Sequence, residues 1–222
     1  MLPKQCQVAL KEWAVTVQAL SLGQQTLLVR KGGIHEESKD FRVIHPEFLL
    51  YPTFEHQRED LLQPESQPAL RELLAQPRDE DWINFSHYAR VEELIEISDQ
   101  EKVDDLSSHY IWTKEYAQSR FHWKPMLPLA VILLRVYRME QPVSVPFLPE
   151  YKGCTSWVDI LADVPLGQLQ PVLSDEEFRR RVDEIKGSLG MAVLHVTGSP
   201  GAGHQGAHLQ LHPPPREYHH VQ

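Results

Sequence analysis

Leu127-Pro-Leu-Ala-Val-Ile-Leu-Leu-Arg-Val-Tyr-Arg-Met139 is the stretch on which the fold turns. Six aliphatic residues run from Leu129 to Leu134, and alternation resumes over Arg135, Tyr137 and Met139. A continuous apolar run that passes into alternation reads as a β-strand, the strongest in the chain. It is far too short to cross a bilayer as a helix, which needs ~20 apolar residues. Downstream, Val143–Val145 and Thr155–Val158 are shorter extended candidates. Ser174-Asp-Glu-Glu177 then has capping-box spacing and opens an amphipathic helix that runs to Leu189.

Upstream of the strand, residues 112–123 read as helix with Thr113 or a neighbour as cap, and Phe85 to Ile97 as a strand, with helix the alternative for part of it. Residues 57–82 are polar and punctuated by proline, with one helix around Pro68 to Gln76. Glu47 to Tyr51 and Phe41 to Ile44 are short strand candidates separated by His45-Pro46. Thr26 to Arg30 is another, broken by Gly32-Gly33. Val8 to Leu22 carries Leu10, Trp13, Ala14, Val17 and Leu20 at helical spacing, so a helix is expected there, stopped by Gly23. Strands and helices mix without a βαβ rhythm. The fold class expected is α+β: a mainly antiparallel, partly closed sheet or small β-barrel with flanking helices.

The chain has 222 residues, 41% hydrophobic and 24% charged, which is globular composition and excludes wholesale disorder. One domain is expected over 1–190. The remainder, 191–222, holds six of the twelve histidines together with Gly-rich and Pro-rich runs, and reads as a disordered tail. No basic segment followed by an apolar stretch opens the chain, so nothing argues for secretion, and no membrane association is expected. Two cysteines, Cys6 and Cys154, make no disulfide framework, and a cytoplasmic location is the natural reading. A net charge of -9 excludes a generally basic nucleic-acid coat but leaves room for a local basic site.

Four segments are distinctive together: Ala9-Leu-Lys-Glu-Trp-Ala14, Leu27-Leu-Val-Arg-Lys-Gly-Gly-Ile34, Phe48-Leu-Leu-Tyr-Pro-Thr-Phe-Glu-His-Gln57 and Pro149-Glu-Tyr-Lys-Gly-Cys-Thr-Ser-Trp157. With Ile111-Trp112, Trp123-Lys-Pro125 and Leu133-Leu-Arg-Val-Tyr-Arg138, they resemble the bacterial family catalogued as domain of unknown function 1802, over roughly 6–189. That family brings no established activity. Some members are joined to a restriction-endonuclease domain, which implies a role in restriction or another nucleic-acid transaction, and that domain is missing here. Ala19-Leu-Ser-Leu-Gly-Gln-Gln-Thr-Leu-Leu-Val-Arg30 is also similar to the helix, turn and strand that open PUA-like and ASCH domains. Where the ASCH pattern has an acidic residue before the final arginine, this chain has Leu28 or Val29. The implied arrangement is a strand delivering a charged residue into a cleft beside a small barrel.

Three groups of residues carry candidate chemistry. Arg30-Lys31 followed by Gly32-Gly33 puts two cations at a strand end before glycines that permit close backbone approach, which suits a phosphate or carboxylate; a hairpin turn neutralised by Glu36 and Glu37 reads equally. Tyr110, Trp112, Tyr116, Arg120, Trp123 and Lys124, followed by Arg135, Tyr137 and Arg138, interleave aromatics with cations, as base stacking and phosphate contact require, with Tyr51, Trp112 and Trp123 the stacking candidates. The i, i+4, i+8 spacing of Trp112, Tyr116 and Arg120 equally describes a core face with a long arginine at its edge. His45, Glu47, Glu55 and His56 flank one short strand and would serve a divalent metal or proton transfer; the alternative is satisfaction of local backbone groups.

Sharper motifs fail. Glu37-Ser-Lys39, Glu150-Tyr-Lys152 and Glu184-Ile-Lys186 lack the upstream aspartate or the strand setting of a restriction-type nuclease. Cys154 has no second cysteine for a zinc deaminase. Arg58-Glu59 lacks the following paired glutamates of a Nudix site. Gly201-Ala-Gly-His-Gln-Gly206 has no helix after it to bind a dinucleotide. What remains is a nucleic-acid recognition module, linked by resemblance to restriction, using Arg30, Lys31, Gly32, Gly33, Tyr51, Trp112, Trp123 and Lys124, with no cofactor expected. The alternatives are a metal-dependent hydrolase at His45, Glu47, Glu55 and His56, and a protein-interaction domain without chemistry.

Overall fold

The computed structural model describes residues 2–31, 45–123, 125–153 and 155–192. In chain order the elements are β1 (Gln5–Trp13), α1 (Ala14–Ser21), β2 (Leu27–Lys31), β3 (Glu47–Thr53), α2 (Gln67–Ala75), β4 (Trp82–Ile97), α3 (Gln100–Asp105), α4 (Lys114–His122), β5 (Leu129–Pro146), β6 (Trp157–Pro165), β7 (Leu169–Pro171) and α5 (Asp175–Ser188), with short 3-10 turns between. They build one seven-stranded sheet in the order β2-β5-β4-β3-β1-β6, with β7 also on β5. Every pairing is antiparallel except β1 with β3. The α+β class is therefore correct, and the sheet is open: among the described residues β2 and β6 share no ladder, so no barrel closes.

The β5 run behaves as its composition dictates. Leu129 to Leu134 are buried, flanked by β2 on one side and β4 on the other. The pieces expected at 143–145 belong to the same strand, which continues to Pro146 as the partner of β4. Register shifts between Phe85 and His87 and between Val91 and Glu93 interrupt that ladder, and such bulges bend and twist a strand pair.

The helix expected over 8–22 begins only at Ala14. Residues 5–13 are a strand, paired parallel to β3 through Ala9↔Leu49 and antiparallel to β6 through Ala9↔Val158. Neighbouring residues part to opposite faces: Ala9 joins one hydrophobic cluster and Leu10 the other. The same parting separates Leu49 from Leu50, Tyr88 from Ala89 and Tyr137 from Val136. Leu10 and Trp13 thus mimic a helical face only because a real helix follows them. Gly23 ends that helix in the left-handed region, φ +68°, as expected.

The larger cluster lies between the sheet and the helices and draws on Leu20, Leu70, Val103, Ala117 and Ile185 from α1 to α5. The smaller one is built by strands and the Pro149–Tyr151 turn around Phe85, Tyr88 and Tyr151. Thr113 caps α4, and Ser174 with Glu177 closes the expected capping box on α5. No helix among the described residues is long and apolar enough to cross a membrane. The strand expected at 41–44, Cys154, and all of the tail from residue 193 lie outside the described residues.

Candidate functional site

The Arg30 side chain bridges the gap where a barrel would close. Arg30, on edge strand β2, reaches across to β1 and to the residue before β6. Its Nη2 donates to the Lys11 carbonyl at 2.7 Å and ion-pairs with Glu12; its Nη1 donates to Ser156 Oγ at 3.1 Å. Both partners of the pair are nearly enclosed, with side chains 14% and 12% exposed. Arg30 Nε is buried without a partner. Two enclosed charges survive only with good geometry and further hydrogen bonds, and the Lys11 carbonyl and Ser156 supply them.

Beside this bridge lies a cleft of about 250 Å³ whose lining includes Lys11, Glu12, Trp13, Arg30, Tyr116 and Arg120. One wall is aromatic. The Trp13 and Tyr116 rings sit 5.4 Å apart, Tyr116 and Trp112 5.6 Å, and Trp112 and Tyr110 5.7 Å. Arg120 lies over the Tyr116 ring at 5.1 Å and donates to its hydroxyl at 2.7 Å. Burial pushes the Tyr116 phenol above its ordinary range and Glu12 adds to this, while Arg120 and Arg30 pull against it. On the opposite side Lys11 Nζ donates to the carbonyls of Tyr151 and, at 3.1 Å, Gly153, so it anchors the 151–153 segment.

Local structure sets each of these groups. Thr113 Oγ1 accepts from Tyr116 N at 3.2 Å, which starts α4 with Tyr116 facing the cleft. Trp112 is held from behind by Gln63, whose Nε2 reaches the carbonyls of Ser107, Tyr110 and Trp112 at 2.7, 2.9 and 2.9 Å. Gln25 Oε1 accepts from Ile111 N at 2.9 Å. Trp13 ends β1, and the helix after it is capped from outside, by Gln57 Oε1 on Val15 N at 3.0 Å.

The expected residues are distributed unevenly over this geometry. Arg30 and Trp112 line the cleft, Trp112 nearly fully buried. Trp112, Tyr116 and Arg120 do share one side, as their spacing allowed. Tyr51 is 5% exposed and packs on Phe85 in the smaller cluster, with Lys11 5.5 Å from its ring, so it offers no stacking face. Trp123, half exposed, follows α4 and is not among the cleft residues. Lys31 ends β2; Gly32, Gly33 and Lys124 lie outside the described residues.

Of the metal candidates, Glu55 and His56 stand at the cleft, His56 in the left-handed region at φ 60°. His45 packs edge-on against Trp157 at 5.1 Å, and Glu47 begins β3. Among the described residues, no three of His, Cys, Asp and Glu gather closely enough to hold a metal ion. Sequence reasoning missed Trp13, Glu12 and Lys11 as site residues because it placed them in a helix. The signal was present: Ala9-Leu-Lys-Glu-Trp13 is one of the distinctive segments.

No curated protein matches the chain. Its fold is similar to crystal structures of ASCH from Zymomonas mobilis, at 12% identity and TM-score 0.39 over 79% of this chain and 93% of that one. A serine-to-alanine mutant of ZmASCH matches at 13% and 0.38 over 82% and 98%. Likeness at that level carries no function across. The family model described as Domain of unknown function (DUF1802) matches residues 9–184, from the middle of β1 nearly to the end of α5, and this chain belongs to that family.

Proposed function

We propose that the chain is a nucleic-acid recognition module whose binding site is the cleft at the sheet opening. The observation that carries this reading is the convergence, in one concave site, of the Trp13–Tyr116–Trp112 aromatic wall with Arg30, Arg120 and Lys11. A base stacks on an aromatic face for ~1–3 kcal/mol, and a guanidinium beside it pairs with phosphate. Trp13 and Tyr116 are the half-buried members of the wall; Arg120 already covers the Tyr116 ring, so Trp13 supplies the stacking face and Tyr116 with Arg120 forms the edge beside it. Arg30 shapes the floor and is too deeply engaged with Glu12 to serve chiefly as a phosphate hook. An association with restriction machinery fits this reading and adds no residue to it.

The test is fluorescence anisotropy of labelled single- and double-stranded oligonucleotides with the full chain, at two salt concentrations, with chelator present to silence the histidine-rich tail. Binding that weakens with salt, and that Tyr116→Ala and Arg120→Ala both reduce, is the expected result. Absence of binding to every oligonucleotide at low salt would overturn the proposal and move the cleft to a protein or small-molecule partner.

A further inference from the structure

We infer that the cleft accepts a single unpaired nucleotide unit, one base carrying one phosphate, and not a run of nucleic-acid backbone. This rests on the recognition reading above and narrows it.

Among the described residues the cleft is lined by three cations, Lys11, Arg30 and Arg120, and two carboxylates, Glu12 and Glu55. Arg30 is neutralised by Glu12 and further held by Ser156 and a carbonyl. Lys11 is committed to the carbonyls of Tyr151 and Gly153. Arg120 gives one N–H to the Tyr116 hydroxyl and lies over that ring, which leaves a planar fork with further donors at the edge of the aromatic wall. A protein that tracks a polyanion needs a row of cations available to successive phosphates. Among the described residues this cleft has one such cation, in a chain of net charge -9.

Shape agrees. A volume of about 250 Å³ lies just below the roughly 300–1,000 Å³ of small-molecule sites, room for one base rather than several. Trp13 and Tyr116 line the inside of the cleft and not an outer face, so a base must leave its neighbours to reach them. Unstacking costs a few kcal/mol in a duplex and least where the base is already unpaired. Thr53, Thr155 and Ser156 line the same space and supply hydroxyls for a base edge or sugar. A free mononucleotide and an unpaired residue within a strand share this chemistry.

The experiment titrates the full chain, in chelator, with the four nucleosides, their 5′-monophosphates, single strands of increasing length and a blunt duplex. At least one monophosphate should bind, with affinity rising less than about tenfold from monophosphate to the longest strand. The slope of log K against log salt should stay near about -0.7 for strands of every length, the value for one phosphate on a single strand. Arg120→Ala should lower affinity for the monophosphate about tenfold, the loss of one charged hydrogen bond, and affinity for the nucleoside by clearly less, and Arg120→Lys should restore part of the monophosphate loss. Affinity that climbs steadily with length at a salt slope of several, or equal binding of duplex and single strand, would overturn this inference while leaving nucleic-acid recognition intact. No binding in any arm would remove the recognition reading itself. If strands retain the single-phosphate slope but free monophosphates do not bind, the one-unit site is overturned in favour of an extended one held by uncharged contacts.

Discussion

Arg30 and Arg135 are two largely enclosed arginines with opposite surroundings. Arg135, on β5, gives Nη2 to Asp175 at 2.6 Å and Nη1 to the Ser174 carbonyl at 3.2 Å, beneath the Phe178 ring at 4.7 Å. Its side chain is 6% exposed, but that of Asp175 is 89% exposed. At the sheet opening both Arg30 and Glu12 are enclosed. The first arrangement fastens a helix: the carboxylate keeps its water, and the arginine is covered by packing and held by a carbonyl. The second takes two charges out of water beside a cleft, which hydrophobic residues of the same size would do at lower cost. Under the recognition proposal, the costlier pair belongs to the binding cleft and the cheaper one to the fastening of the fold.

The largest test of that contrast is Arg30→Met. It strands Glu12 in a dry setting and should lower stability by about 3–5 kcal/mol, measured by urea denaturation. Adding Glu12→Leu should recover most of the loss. A single variant as stable as the parent would mean that Glu12 is solvated and the contrast false. Next, Gln63→Leu removes the donor shared by three carbonyls behind Trp112 and should cost about 2 kcal/mol, with a change in tryptophan emission. Unchanged emission would show that Trp112 is held by other contacts alone. Smallest is Asp175→Asn, which keeps an acceptor for Arg135 and loses only an exposed charge at the start of α5. About 1 kcal/mol or less is expected in thermal or urea unfolding. A loss as large as that of Arg30→Met would erase the distinction between fastener and site.

What the sequence made legible follows from the range of the forces involved. The β5 run, the Thr113 cap and the Ser174–Glu177 box depend on neighbours within a few residues, and each stands where it was expected. β1 depends on partners 40 and about 150 residues away, and its apolar pattern blends into that of α1, so local spacing misassigned it. The site divides the same way. Arg30, Trp112, Tyr116 and Arg120 were visible as an aromatic and cationic set. Trp13 and Glu12 were not, because only the approach of Tyr116 on α4 and Arg30 on β2 makes their end of the strand a cleft wall. Tyr51 looked like a stacking residue and is core, since strand alternation sends it to the face opposite Leu50.

The position of β1 between β3 and β6 sets a timetable for biosynthesis. Leu10 pairs with Leu50 on one side and Trp157 on the other. At about 5–20 residues per second, the second partner leaves the ribosome roughly seven to thirty seconds after the first strand. Until then the nascent chain carries an apolar strand with one unpaired flank, a template for pairing with any other extended segment nearby. A transcript truncated before codon 157 would release a product in which that flank never closes, and such a product is a substrate for chaperones and proteases rather than a smaller version of the protein.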